Sequence, residues 1–391
     1  MKKRFKVAII CDAGFLTGTY YYAVNIAEEL SKLGCHVSLV TPVLLPDVKA
    51  KQLVLKWPLF NIPLIGRPSW LLALYFRLRK YHFDIIHSFG YGIINLLPFD
   101  IYKNTLKVTS ISDVMCDNKK FRGNSLSMFV IAKILQPPHL RFNDFVIMST
   151  AYSKQQIMIV KKVKENKLVV SHLGVSDSFK RVKDEKLLEA VKNKFKLPDK
   201  FILNVGGLKA NKNIINIIKA FEIIVKSNPD VHLVFSAKLD TSLKAPFYHK
   251  EIRNEMMCLG KATQEKIHFL GYVGDQEINA LYTLATVFLM PSLEEGFGLP
   301  ILEAMRSGLP VVTSNVSCMP EVAGDAALLC NPYNPRDIAR KVNRALTDKK
   351  LAKFLVQQGL ARAKEFTWQN SAKRIHAFYE REWEKKFGDK V

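Results

Sequence analysis

Residues 291–324, PSLEEGFGLPILEAMRSGLPVVTSNVSCMPEVAG, constrain this chain more tightly than any other stretch. Gly296 and Gly298 favour a loop, because a residue without Cβ enters φ > 0 at no steric cost. Pro300 suits a first helical position, where its missing N–H goes unused. Gly308 and Pro310 then stop a helix. The stretch predicts a strand over Thr286–Met290, a glycine loop, a helix from about Pro300 to Ser307 and a strand over Val311–Ser314. Strand, helix and strand in such short order belong to a parallel sheet with helices on its faces.

Two carboxylates frame that unit. Glu295 falls in the loop and Glu303 in the first turn or so of the helix. The free N–H groups and positive dipole end of a helix form an anion site. Carboxylates beside an anion site do not suit a bare phosphate. They suit a ligand with both a phosphate and several hydroxyls, which donate to carboxylate oxygens. A nucleotide-activated sugar is such a ligand.

The run Glu295-x7-Glu303, followed by Ala304-Met305, Gly308-Leu-Pro-Val-Val and Pro320-Glu-Val-Ala-Gly-Asp, resembles the donor-site signature of the family 4 retaining glycosyltransferases. An ordinary βαβ turn with two solvated glutamates does not account for so many matched positions. The resemblance implies an α/β protein of the GT-B fold. That fold has two Rossmann-like α/β/α domains facing across a cleft, with a C-terminal helix crossing back to the first.

A length of 391 residues suits two or three domains, and 48% hydrophobic residues are ample for their cores. No apolar run reaches the ~18 residues of a membrane-spanning helix. Val7–Cys11 is too short for a signal-peptide core and reads as a first buried strand. Six scattered cysteines without a C-x-x-C pair suit a reducing compartment, so a cytoplasmic location is expected.

The net charge of +23 divides unevenly. Residues 1–180 carry 25 Lys+Arg against 11 Asp+Glu, a net of +14, and the remainder a net of +9. A basic surface serves nucleic acid, anionic lipid or solubility. No nucleic-acid-binding motif is present. The expectation is therefore a peripheral protein on the inner, anionic face of the cell membrane. Residues 53–83 are aromatic, basic and amphipathic. They read as an interfacial segment, as a core helix before the next strand, or as both, with Trp57 to Pro68 the exposed portion.

Along the first half, a strand at 6–12 leads through a loop with Gly14 and Gly18 to a helix over Tyr20–Leu33 and a strand over His36–Thr41. By resemblance the first loop faces the donor diphosphate, and Gly18 allows close backbone approach. Phe83–Ser88 and 107–117 resemble the next two family strands. The family histidine that lies near the reacting sugar is replaced by Ser112, while Asp113 is kept. Serine cannot carry a proton near neutral pH as histidine does. His87 is a possible substitute on the acceptor side, or a structural histidine. The domains are expected at 1–180 (acceptor side), 199–365 (donor side) and 366–391 (crossover helix), with charged residues 177–200 between the first two.

The donor half opens with the strand from Phe201, then Gly206, Gly207, Lys209 and Lys212, then a helix over Ile214–Lys226. The resemblance places Lys212 against the donor phosphates, where an ammonium stabilises the leaving diphosphate. Many members carry an arginine where this chain has Gly207. Lys209 compensates only as a point charge without the guanidinium fork. Tyr272 and Val273 fall where the family holds the nucleobase. Gly296, Phe297, Gly298 and Leu299 line the donor loop. By resemblance, Glu303 binds the ribose and Glu295 the transferred sugar.

The chain has no Asp-x-Asp to hold a divalent ion on a diphosphate, so no metal and no cofactor are expected. The expected substrates are a UDP- or GDP-hexose and a saccharide or lipid-linked acceptor, in cell-surface polysaccharide or glycolipid synthesis. A sugar-nucleotide epimerase of the same fold and a non-catalytic nucleotide-sugar binder are the alternatives.

Overall fold

The computed structural model describes residues 4–11, 18–45, 48–56, 80–89, 104–111, 140–242 and 245–388, with 70, 73, 74 and 76–78. The chain forms two compact units. One comprises Met1–Gly174 with Trp368–Val391, and the other Val175–Thr367.

The first unit is built on a seven-stranded sheet of order β3-β2-β1-β4-β5-β6-β7. Its strands are β1 (Lys6–Cys11), β2 (His36–Thr41), β3 (Gln52–Val54), β4 (Ile85–Phe89), β5 (Leu106–Ile111), β6 (Phe145–Met148) and β7 (Leu168–Val170). The second has six strands in the order β10-β9-β8-β11-β12-β13. These are β8 (Phe201–Asn204), β9 (His232–Phe235), β10 (Ile267–Phe269), β11 (Val287–Met290), β12 (Val311–Ser314) and β13 (Leu328–Cys330). All pairings are parallel. Strands covered on both faces read as continuous apolar runs rather than alternating ones. Val7–Cys11 and Phe201–Leu203 are such runs, and all are buried.

In each sheet the strand order reverses once, between β1 and β4 and between β8 and β11. Loops leaving the carboxyl ends of strands at such a reversal frame the ligand crevice of doubly wound sheets. Residues 205–213 leave β8 and residues 291–298 leave β11. The lysine and glutamate loops of the donor half are therefore neighbours by topology.

The second core fills against helix Ile214–Ser227. Its Ile214, Ile217, Ile218, Phe221 and Ile224 pack with Ile338 and Val342 of helix Pro335–Thr347. A helix over Lys349–Ala363, not expected from the sequence, follows directly, with Asp348 accepting from the Leu351 N–H at its start. In the first unit Trp70, Leu74 and Leu78 recur every four residues and pack with Ala8, Ile10, Val40 and Ile86. The core alternative thus holds for this part of residues 53–83. Trp57 to Pro68 lie outside the described residues.

Helix Trp368–Phe387 belongs to the first unit. Trp368 stacks on Tyr22, Phe378 meets Phe145 edge-on and Trp383 meets Phe5. The Tyr379 hydroxyl lies 2.6 Å from His87 Nδ1. The last helix therefore crosses back to the first unit. Among the described residues, no helix is long and apolar enough to cross a membrane.

Candidate active site

Asparagines join the two switch-point loops of the second unit. The Asn204 amide, at the end of β8, donates to the Leu289 carbonyl of β11 at 2.8 Å. The Asn211 amide donates to the Glu294 carbonyl at 3.0 Å, and the Leu293 N–H donates back to the Asn211 carbonyl at 2.8 Å. Asn213 donates to the carbonyls of Pro291 and Pro332 at 3.0 and 2.7 Å. Asn213 has φ +62 and precedes helix Ile214–Ser227. Asparagine tolerates this left-handed backbone better than other residues with a Cβ.

Between these clamps, Lys212 Nζ lies 2.7 Å from Glu295 Oε1. Their side chains are only 16% and 11% exposed. The contact is an ion pair rather than a directional hydrogen bond, and Oε1 is sealed from solvent. Gly206 sits beneath the lysine with φ +126; a Cβ there would lie 3.5 Å from Lys212 Cε. That separation is an ordinary contact, so the backbone angle is what demands glycine.

The backbone of Glu295 is held separately. Its N–H donates to Ser317 Oγ at 3.2 Å, and its carbonyl accepts from the same hydroxyl at 3.2 Å. The Cys318 thiol donates to that carbonyl at 3.2 Å. Burial, then the Glu295 charge, pushes the thiol well above the usual cysteine range, so it remains a donor. Ser317 has φ +59 without being glycine. Strained backbone of this kind persists where the surroundings over-determine it.

The helix after the loop spans Leu299–Arg306, starting one residue before the expected Pro300. Gly298 caps it at φ +89, where a Cβ would come within 3.3 Å of Ile301 Cδ1. Glu303 Oε2 accepts from the Tyr282 hydroxyl at 2.8 Å. Tyr282 is fully buried; burial first and the Glu303 charge second raise its phenol well above the usual range. It stays protonated and holds the carboxylate in one orientation.

The remaining expected residues divide. Gly207 and Lys209 are exposed beside the lysine loop. Tyr272 is 82% exposed after the turn at Gly271, and Val273 is half-buried. Gly296 is buried, and Phe297 packs edge-on against Phe366, so the Phe297 side chain is core and only its backbone is available to a ligand. Gly18 opens helix Gly18–Lys32 in the first unit, with the rest of its loop outside the described residues. Ser112 and Asp113 also lie outside them.

His87 is described and wholly buried. Tyr379 and Ser110 engage its two ring nitrogens at 2.6 and 2.7 Å, and burial lowers its pKa to about 3. It fits the structural alternative rather than an acceptor-side role. No group of three or more metal-ligating side chains occurs among the described residues.

Sequence reading passed over Asn211, Tyr282 and Ser317, and weighed Asn213 only as the neighbour of Lys212 that favours a hexose donor such as mannose or glucose. Asn213 had a local signal, standing immediately before an apolar helical run. Tyr282 and Ser317 had none, since each acts on a residue about 20 positions away.

Residues 186–362 match the family described as Glycosyl transferases group 1. The serotype-specific mannosyltransferase WbdA of Escherichia coli is 34% identical over 186 residues, which cover 47% of this chain and 22% of that protein. The O-antigen chain mannosyltransferase B of Escherichia coli is 34% identical over 185 residues, covering 46% and 45%. The chain thus spans between about a fifth and under a half of the length of these curated relatives. Anabaena HepE in complex with UDP-glucose shares the fold, with TM-score 0.76 at 17% identity over 96% of this chain and 99% of that one. The two parallel sheets and the returning last helix are those of the GT-B fold. Residues 186–362, which hold Lys212, Glu295 and Glu303 on one sheet's switch point, form a domain of the glycosyl transferases group 1 family.

Proposed function

We propose that the chain is a retaining hexosyltransferase that uses a nucleotide-sugar donor and a saccharide or lipid-linked acceptor in polysaccharide or glycolipid synthesis. The largely buried pair of Lys212 and Glu295 at the β8/β11 switch point carries this reading. One charge suits a diphosphate and the other suits sugar hydroxyls. Mannose is the first hexose to test, because both relatives named above are mannosyltransferases.

In the proposed reaction Lys212 and the N-terminus of helix Leu299–Arg306 stabilise charge on the leaving diphosphate. Glu303, oriented by Tyr282, accepts from the ribose hydroxyls. Glu295 accepts from the hexose. The acceptor oxygen bonds to the anomeric carbon on the face from which the phosphate oxygen departs. The acceptor proton passes to the leaving diphosphate. Positioning and electrostatics supply most of the rate. No metal is assigned a role, and the basic first half is assigned to an anionic membrane surface.

A thermal-shift panel tests the donor assignment. UDP, GDP, ADP and their hexose conjugates are compared with and without chelator. The matching nucleotide raises the melting temperature by mass action, and chelator leaves the rise unchanged. Glu303→Ala abolishes it. A chain that responds to none of these nucleotides is not a nucleotide-sugar enzyme of this kind.

A further inference from the structure

Lys212 and Glu295 neutralise each other at 2.7 Å in a site that excludes most water. Among the described residues, Lys212 is the cation paired with Glu295, and Glu295 Oε1 takes no directional hydrogen bond. Neither charge has an easy retreat. Asn211 and Asn213 tie the lysine loop to residues 291–294, and the Ser317 hydroxyl grips both backbone groups of Glu295. A ligand that draws the ammonium away therefore leaves a largely buried carboxylate uncompensated, and breaking one side of a buried pair is strongly unfavourable.

Ligands differ in whether they repair that loss. A bare nucleoside diphosphate brings phosphate oxygens to Lys212 but places no hydroxyl donor at Glu295. A nucleotide-hexose brings phosphates for the lysine and sugar hydroxyls for the carboxylate. Resting on the donor-site reading above, we propose that Glu295 makes the site select the sugar-bearing nucleotide over the bare diphosphate, because it yields Lys212 only when a hexose takes the lysine's place. Transfer of the hexose then removes the groups that held Glu295. The carboxylate recaptures Lys212, and the diphosphate product is expelled.

The test is a set of dissociation constants, measured by titration calorimetry on the full chain with UDP, GDP, UDP-glucose and GDP-mannose. In the wild type, the sugar conjugate of the accepted base binds more tightly than the bare diphosphate, by a factor within the ~5- to 150-fold usual for coupled sites. Glu295→Gln frees Lys212 without charge and tightens the bare diphosphate selectively, so that ratio collapses toward one. Simple removal of a negative charge would tighten both ligands alike and leave the ratio standing, which overturns the proposal. A second measurement needs no variant. Saturating free mannose or glucose tightens diphosphate binding to the wild type, because the hexose relieves Glu295. Diphosphate affinity that ignores both hexoses also overturns it. A wild type that binds none of the four nucleotides overturns the donor-site reading itself.

Discussion

Ser317 combines a hydrogen-bonding role with a backbone penalty. Its hydroxyl holds Glu295 at both backbone groups, while its φ of +59 is unfavourable for a residue with a Cβ by roughly 1–2 kcal/mol. Two substitutions separate the effects. Ser317→Gly removes the hydroxyl and relieves the backbone, whereas Ser317→Ala removes the hydroxyl and keeps the strain. Both lower kcat for the proposed hexose transfer, and the glycine variant melts at the higher temperature of the two. Equal kcat in all three proteins would show that the clamp does not position Glu295. Tyr282→Phe acts on the other carboxylate. It deletes the 2.8 Å donor to Glu303, and hydrogen bonds to charged groups contribute about 1.5–3 kcal/mol. Nucleotide affinity is expected to fall by about 10- to 100-fold, read by calorimetry.

The last helix, Trp368–Phe387, carries the clearest consequence at the scale of an element. Tyr379 partners the neutral His87 ring inside the first unit. Tyr379→Phe leaves a buried ring nitrogen unsatisfied and costs about 1–3 kcal/mol, seen as a lower melting temperature. Nucleotide affinity is expected to be unchanged, because the residue belongs to the first unit and the lysine and glutamates to the second.

The same histidine sets a pH dependence. Burial holds its folded pKa at about 3, below the ordinary histidine value of 6.5, so the unfolded chain binds the extra proton between those limits. Stability therefore rises with pH across this window and is lost as pH falls from 6.5 toward 3, at up to about 1.4 kcal/mol per unit. Melting temperatures of the wild type and His87→Gln, followed over that range, should converge on acidification.

Charge matters at the scale of the whole molecule. The net +14 in residues 1–180 predicts binding to vesicles containing anionic lipid, and no binding to neutral ones. Flotation should show the bound fraction falling as salt is raised, since screening shortens the reach of each charge. The chain passes twice through the first unit, at its start and at its last helix, with the second unit inserted between them. Loss of the C-terminal helix would therefore uncover the first core rather than trim a free tail.

Local patterning along the chain sets the class of fold and the identity of the charged groups. Continuous apolar strands, glycine loops and helix stops follow local rules, so the strand–helix–strand unit around Glu295 and Glu303 was legible from residues a few positions apart. The anchors Trp368, Ile375, Phe378, Tyr379 and Trp383 were legible from helical spacing, and all are buried. Tertiary structure alone decided which charges meet. Lys212 and Glu295 are far apart in the chain and come to 2.7 Å because β8 and β11 adjoin at the sheet's reversal. It also decided that Phe297 turns into the core and that His87 is spent on Tyr379 and Ser110. Local pattern records what a residue can do, whereas burial and partnership depend on strands that only folding brings side by side.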